Sequence, residues 1–417
     1  MTITINSVPA PSAPSAPSAP AAPAAPAAPS APAVPAVPVQ LQFPASAQAA
    51  TTTDVRTAAL QFLSWAREHG LLAADAYRPH ETLPNPEFDH ATLDPGVFSA
   101  LRTRQVRFLA VASQKNHISV FLKKAAPNSK ELKILPRTCN GHTLSYHQGN
   151  TESVSPTAVA ESTNNCSMHQ HETKDFYTCG SSISVGNNRE AGTLGCLVRN
   201  ARSELFGLSN NHVSGACSYA PIGLPVLAPG ILDVGPGNPF PFTIGLHETQ
   251  LPMQFGDPSG VDHTQNSDAA LIKITSPNLI SSMQRNFYDT PASVIDLQPG
   301  MQVEKVGRTT GHTHGIVLGE LIGAVLINYV AAQYGFSGGA YFEGVFVVHG
   351  VGDVFSDGGD SGSLVTHVDA NGIRHAVGIV FAGCIDNSAP GNKRALILPL
   401  RPILNRFNVT LLSQHNC

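Results

Sequence analysis

Charge is scarce in this chain. Asp, Glu, Lys and Arg make up 13% of its 417 residues and leave a formal net charge of −4, without the basic footprint that a nucleic-acid partner needs. Long apolar runs are missing too. No stretch approaches eighteen consecutive apolar residues, and the start M-T-I-T-I-N-S-V-P-A has neither the basic nor the apolar part of a secretory leader. The expectations are no nucleic acid, no membrane and a cytoplasmic location. Cysteine is sparse and odd in number, seven in all (139, 166, 179, 196, 217, 384, 417), so at least one stays unpaired in a monomer. Glycine (36) and proline (33) are abundant, which favours a loop-rich β protein over a helical bundle. The length exceeds one typical domain.

Taken in order, residues 1–50 read as a disordered tail of P-S-A-P and A-A-P units that cannot bury a core; with no basic residue beside the prolines, an SH3-type ligand is not expected. Residues 51–150 read as a small α+β accessory domain. A helix is expected over 53–69, with Val55, Ala59, Phe62, Leu63 and Ala66 on one face, Thr53 as N-cap and Gly70 as stop. Strands follow at 108–111, 118–122 and 132–135. Residues 151–178 are polar and read as a linker; Cys166, His169 and His171 lie close together there, but no second ligand pair accompanies them, so neither metal nor cofactor is expected. From Cys179 to the end, short alternating strands between Gly, Pro and Asn turns give an all-β texture. The Pro- and Gly-rich stretch 221–250 reads as a surface loop.

The chemistry gathers at 355–365, F-S-D-G-G-D-S-G-S-L-V. Its glycines allow a sharp turn that aims backbone N–H groups at one point beside the Ser361 hydroxyl. A serine is a weak nucleophile until a base and an orienting carboxylate assist it. His212 in L-F-G-L-S-N-N-H-V at 205–213 and Asp268 in S-D-A-A-L-I-K-I at 267–274 are the candidates. Asp262 is the alternative carboxylate, and His349 a weaker alternative base, while His312 and His314 read as strand residues.

With G-D-S-G at 359–362, S-N-N-H-V at 209–213 and D-A-A-L-I-K at 268–273 in the order His, Asp, Ser, the chain resembles the trypsin/chymotrypsin-like serine peptidases. The resemblance covers about half the chain, from Cys179 to Val409. It implies two six-stranded β-barrels over 179–417 and a serine endopeptidase acting on a protein or peptide, its own tail included. In that reading Gly359 and Ser361 hold the oxyanion, Phe355, Phe381, Ala382 and Gly383 line the pocket for a small or apolar residue, and Cys196 and Cys217 stand where a disulfide forms in many relatives. The chain departs from the family pattern in Ser363 and in Phe381-Ala382-Gly383, and no activation site precedes Cys179 to supply a partner for Asp360. A non-catalytic peptide-binding module and an esterase remain the alternatives.

Overall fold

The computed structural model describes residues 53–89, 93–154 and 165–417; the Pro/Ala-rich tail lies outside them. Six strands close a barrel: Gln302–Gly307 pairs with Leu364–Val368, followed by Arg374–Ile385, Lys393–Pro399, Phe346–Gly350 and Gly311–Leu321, which returns to Gln302–Gly307. Each strand sends alternate side chains inward, and Val303, Val317, Val348, Val365, Val377 and Ile397 fill the interior. A second sheet runs Val409–Leu411, Cys196–Asn200, Leu205–Ser209, Ala270–Ile274, Phe242–Gln250, Pro225–Ala228, Ser182–Val185 and Gly192–Thr193. It curls around Ile183, Leu197, Ile244 and Ile272 without closing into a continuous ladder. The expected two-barrel, mostly β architecture is therefore present, with one barrel closed and the other open. Among the described residues, no helix is long and apolar enough to cross a membrane.

Several local expectations are corrected. Stretch 221–250 is not one loop, because Pro225–Ala228 and Phe242–Gln250 join the open barrel; Pro and Gly mark only the turn between them. Residues 132–135 do not form a strand. Glu131–Ile134 makes a helical turn instead, with the Asn128 side chain accepting from the Lys130 and Glu131 amides while Glu131 accepts from the Asn128 amide, so local capping overrides β propensity. The first helix runs Val55–Glu68, and Asp54 rather than Thr53 caps it, accepting from the Arg56 and Thr57 amides at 2.9 and 3.1 Å. Within 151–178, Met168–His171 and Lys174–Cys179 pair as strands.

Strand Val106–Ala112 pairs with Gly311–Leu321 (Ala110 opposite Leu321), so residues of the 51–150 segment continue the sheet of the closed barrel. A polar chain crosses this junction. His117 Nε2 and His147 Nε2 each lie 2.8 Å from the Ser145 hydroxyl, and Arg394 reaches His147 Nδ1 at 3.3 Å and Asp386 at 2.5 Å. Burial, with Lys115 nearby, lowers His117 to about 4; burial and then Arg394 lower His349 to about 4 and His147 also. A histidine held neutral in the fold and free to charge near pH 6.5 when unfolded makes the unfolded state the better proton acceptor. Stability should therefore be full above about pH 6.5 and fall as pH drops toward about 4, by roughly 2–3 kcal/mol for one such histidine. Urea midpoints at neutral and acid pH measure this, and a flat profile, or one that His117→Gln leaves equally steep, would contradict it.

Candidate active site

Strand register brings the first two candidates together. Ser209 lies opposite Ala270 in the antiparallel pair of Leu205–Ser209 and Ala270–Ile274, so the turn leaving one strand meets the residues entering the other. His212 sits on that turn, in the short helix Asn211–Ser214. Asn210 fixes it by donating to the Asp268 carbonyl at 2.5 Å, and Asn211 exchanges hydrogen bonds with Ser218. Asp268, fully buried, accepts through Oδ1 from the His212 backbone N–H at 3.0 Å and through Oδ2 from His212 Nδ1 at 2.5 Å. A second donor reaches Oδ2, the buried Tyr329 hydroxyl at 3.0 Å. With Nδ1–H directed at the carboxylate, Nε2 is left as an acceptor.

Ser361 is half-buried and lines one cavity with His212, Gly359, Ala382 and Gly383. Among the described residues the Ser361 hydroxyl makes no hydrogen bond to His212, and neither the Gly359 nor the Ser361 amide donates to any group. The loop is tightly held all the same. Thr193 of the open barrel donates its N–H to the Ser361 carbonyl at 2.8 Å and its hydroxyl to the Gly359 carbonyl at 2.9 Å. Gly362 (φ +95°) has room for no side chain, since a Cβ would lie 2.3 Å from the Thr193 carbonyl.

Asp360 is buried against Lys305, itself fully buried, at 3.4 Å. It also accepts from the amides of Asp357 (3.0 Å), Thr309 (2.8 Å) and Thr310 (3.2 Å) and from the Thr310 hydroxyl (2.6 Å). Burial alone would raise its pKa, but Lys305 and these donors outweigh burial and lower it. The carboxylate thus finds its counter-charge within the fold, in Lys305.

Other candidates lie elsewhere. Phe355 and Phe381 do not line the cavity: both are fully buried, Phe355 in the closed barrel's core and Phe381 against Phe342. Strand Arg374–Ile385 is irregular here, with a register shift between Val380 and Ala382; Val380 joins the closed barrel's core while also lining the cavity, and Phe381, at the shift, packs against Phe342. Asp262 caps a short helical turn at Thr264, and His349 lies near Arg394 and Asp386. Cys196 and Cys217 are free buried thiols and no bridge joins them; the other cysteines are free as well, all buried except the half-buried Cys417.

Sequence reasoning missed Tyr329, Thr193 and Lys305, whose partners lie 61, 168 and 55 positions away, and it missed a strand at the cavity's edge. Asn150–Thr151 pairs antiparallel with Cys384 and Ile385, and the Glu152 amide donates to the Gly383 carbonyl at 3.1 Å. Val154 bonds Asn328 and Val330 on the far side, and residues 152–154 share the cavity with His212 and Ser361. Glu190, also on the cavity wall, is pushed up to about 7 by burial.

No protein-family model and no curated protein matches the chain. Solved structures do. The chain is similar to Thermobifida fusca protease A (17% identity, 57% of this chain and 98% of that one, TM-score 0.37) and to a Nocardiopsis protease (19%, 56% and 97%, TM-score 0.36). It is similar also to a Cellulomonas bogoriensis chymotrypsin (14%, 57% and 98%, TM-score 0.37). Identities this low leave the roles of single residues to the geometry.

Proposed function

We propose that the protein is a serine endopeptidase. One observation carries the proposal: an imidazole held by a buried carboxylate lines the same cavity as Ser361 and Gly359, whose backbone amides make no other hydrogen bond among the described residues. Ser361 Oγ attacks the peptide carbonyl as His212 Nε2 takes its proton, and Asp268 stabilises the imidazolium so formed. The negative charge on the former carbonyl oxygen is met by the Gly359 and Ser361 N–H groups. Collapse breaks the C–N bond; the amine leaves with the proton from His212, and water activated by the same nitrogen hydrolyses the acyl-enzyme. Val380 and Ala382 on the cavity wall favour a small or apolar residue before the scissile bond. The substrate is a protein or peptide, with the chain's own tail as a candidate.

Fluorophosphonate labelling followed by mass-spectrometric site mapping tests the proposal. A single adduct on Ser361, absent from Ser361→Ala and lost in His212→Ala, is the expected result, together with casein cleavage by the wild type alone. Equal casein cleavage by wild type and Ser361→Ala would sink it. Binding of peptide without an adduct would favour the non-catalytic module, and an adduct with ester but no peptide turnover the esterase.

A further inference from the structure

The geometry points to a divalent transition-metal site of the zinc class on the outer face of the hairpin formed by Gln302–Gly307 and Gly311–Leu321, with Glu304, His312 and His314 as ligands. Among the described residues these three form the one cluster able to hold a metal, their ligand atoms all lying within 4.8 Å of one another. Two features of the backbone produce the cluster. His312 and His314 are two residues apart on one strand, so both imidazoles leave the same face. Glu304 stands directly opposite His314 in the antiparallel register and joins that face from the neighbouring strand.

The donor set has the chemistry of a first-row dication. Imidazole nitrogens with a carboxylate oxygen suit zinc, with bonds of about 2.0–2.2 Å. Ligand atoms around such an ion stand roughly 3.4 Å apart in tetrahedral geometry. Glu304 Oε2 lies 2.6 Å from His312 Nε2 and 3.7 Å from His314 Nε2, a spread that small side-chain rotations would even out. Each imidazole would turn an unprotonated nitrogen to the ion and keep its N–H on the other ring nitrogen.

The surroundings orient these ligands. Arg374 grips the other carboxylate oxygen, Oε1, through Nε at 2.9 Å and Nη2 at 2.6 Å, which turns Oε2 toward the imidazoles. The Arg374 guanidinium rests 3.8 Å from the centre of the Tyr288 ring, and Phe287 packs on His312 with ring centres 4.4 Å apart. Metal ligands characteristically carry such outer partners. His314 is 61% exposed in its side chain, which leaves a path for the ion and room for water as a fourth ligand. The position also links the site to the nucleophile loop: Lys305, next to Glu304, points to the other face of the strand, where it meets Asp360. A bound ion would brace the hairpin whose turn residues Thr309 and Thr310 hold that carboxylate.

The test is calorimetric titration of the chelator-stripped full chain with zinc chloride, with the absorption of a cobalt-substituted sample as a second measurement. Wild type is expected to bind one zinc per chain with micromolar affinity and to melt several degrees higher when loaded. His314→Ala alters an exposed side chain and should keep the fold; it is expected to lose at least about tenfold in affinity, and most of the melting shift. His312→Ala should behave likewise, whereas His171→Ala, an exposed histidine elsewhere, should bind as wild type does. Cobalt spectra of nitrogen and oxygen ligation without thiolate bands are expected, which separates this site from the cysteines. Zinc binding unaltered by His314→Ala, cobalt spectra dominated by thiolate, or no binding by the wild type would each overturn the inference and leave a hydrogen-bonded ion cluster only.

Discussion

Asp268→Asn is expected to lower kcat about 10⁴-fold at neutral pH, with a much smaller effect on KM. The carboxylate accepts the Nδ1 proton of His212 at 2.5 Å, which in the proposed mechanism keeps Nε2 free for the serine proton. An amide can turn its N–H toward Nδ1, and the imidazole then carries its proton on Nε2, the wrong nitrogen for a base. Tyr329→Phe separates orientation from charge. It removes the second donor to Oδ2 and should cost about 1.5–3 kcal/mol of stability, with a far smaller loss of activity. Steady-state peptide hydrolysis and urea denaturation of both variants measure these effects. If Asp268→Asn cleaved peptides as fast as wild type, the histidine–aspartate pair would be a structural contact and nothing more.

Asp360→Ala is expected to destabilise the protein by about 3–5 kcal/mol, because it strands the fully buried Lys305 ammonium without its counter-charge. For a fold of this size that is roughly a 5 °C drop in melting temperature. Activity should fall with it, since the same carboxylate gathers the Asp357, Thr309 and Thr310 amides around the turn that carries Ser361. Lys305→Met should cost less, because those donors stay with Asp360. The double variant should cost clearly less than the sum of the two, the mark of direct coupling. Additive losses below about 1 kcal/mol each would mean that the pair contributes like an exposed one.

What the sequence made legible was local. His212 follows the apolar run 205–208 and Asp268 precedes the strand Ala270–Ile274, so each could be found from its own neighbours and from chain order. Their meeting needed only that adjacent strands pair. Tyr329 was invisible by that route: it belongs to the hairpin of Val325–Ala331 and Phe336–Phe342, and no local pattern says that this hairpin packs over Asp268. Lys305 has the same difficulty, since a lysine inside a strand pattern gives no sign that a carboxylate 55 positions later will neutralise it. Phe355 and Phe381 fail for another reason. Loop position tells where the backbone runs but not which side a ring takes, and Phe381 sits at a register shift of its strand, where its ring packs on Phe342. His312 and His314 were rightly placed on a strand, yet their partner Glu304 depended on a cross-strand register that only the fold supplies.

The short run at 150–154 bears on which molecules can enter the cleft. Its backbone already occupies the Gly383 carbonyl and, on the opposite wall, Asn328 and Val330. A guest polypeptide seeking the same rim must evict a resident that is covalently leashed, and a leash of this kind acts like a rival present at millimolar strength. On the proposed function, short and weakly held peptides would therefore compete poorly for this rim, and longer ones with more contacts would compete better.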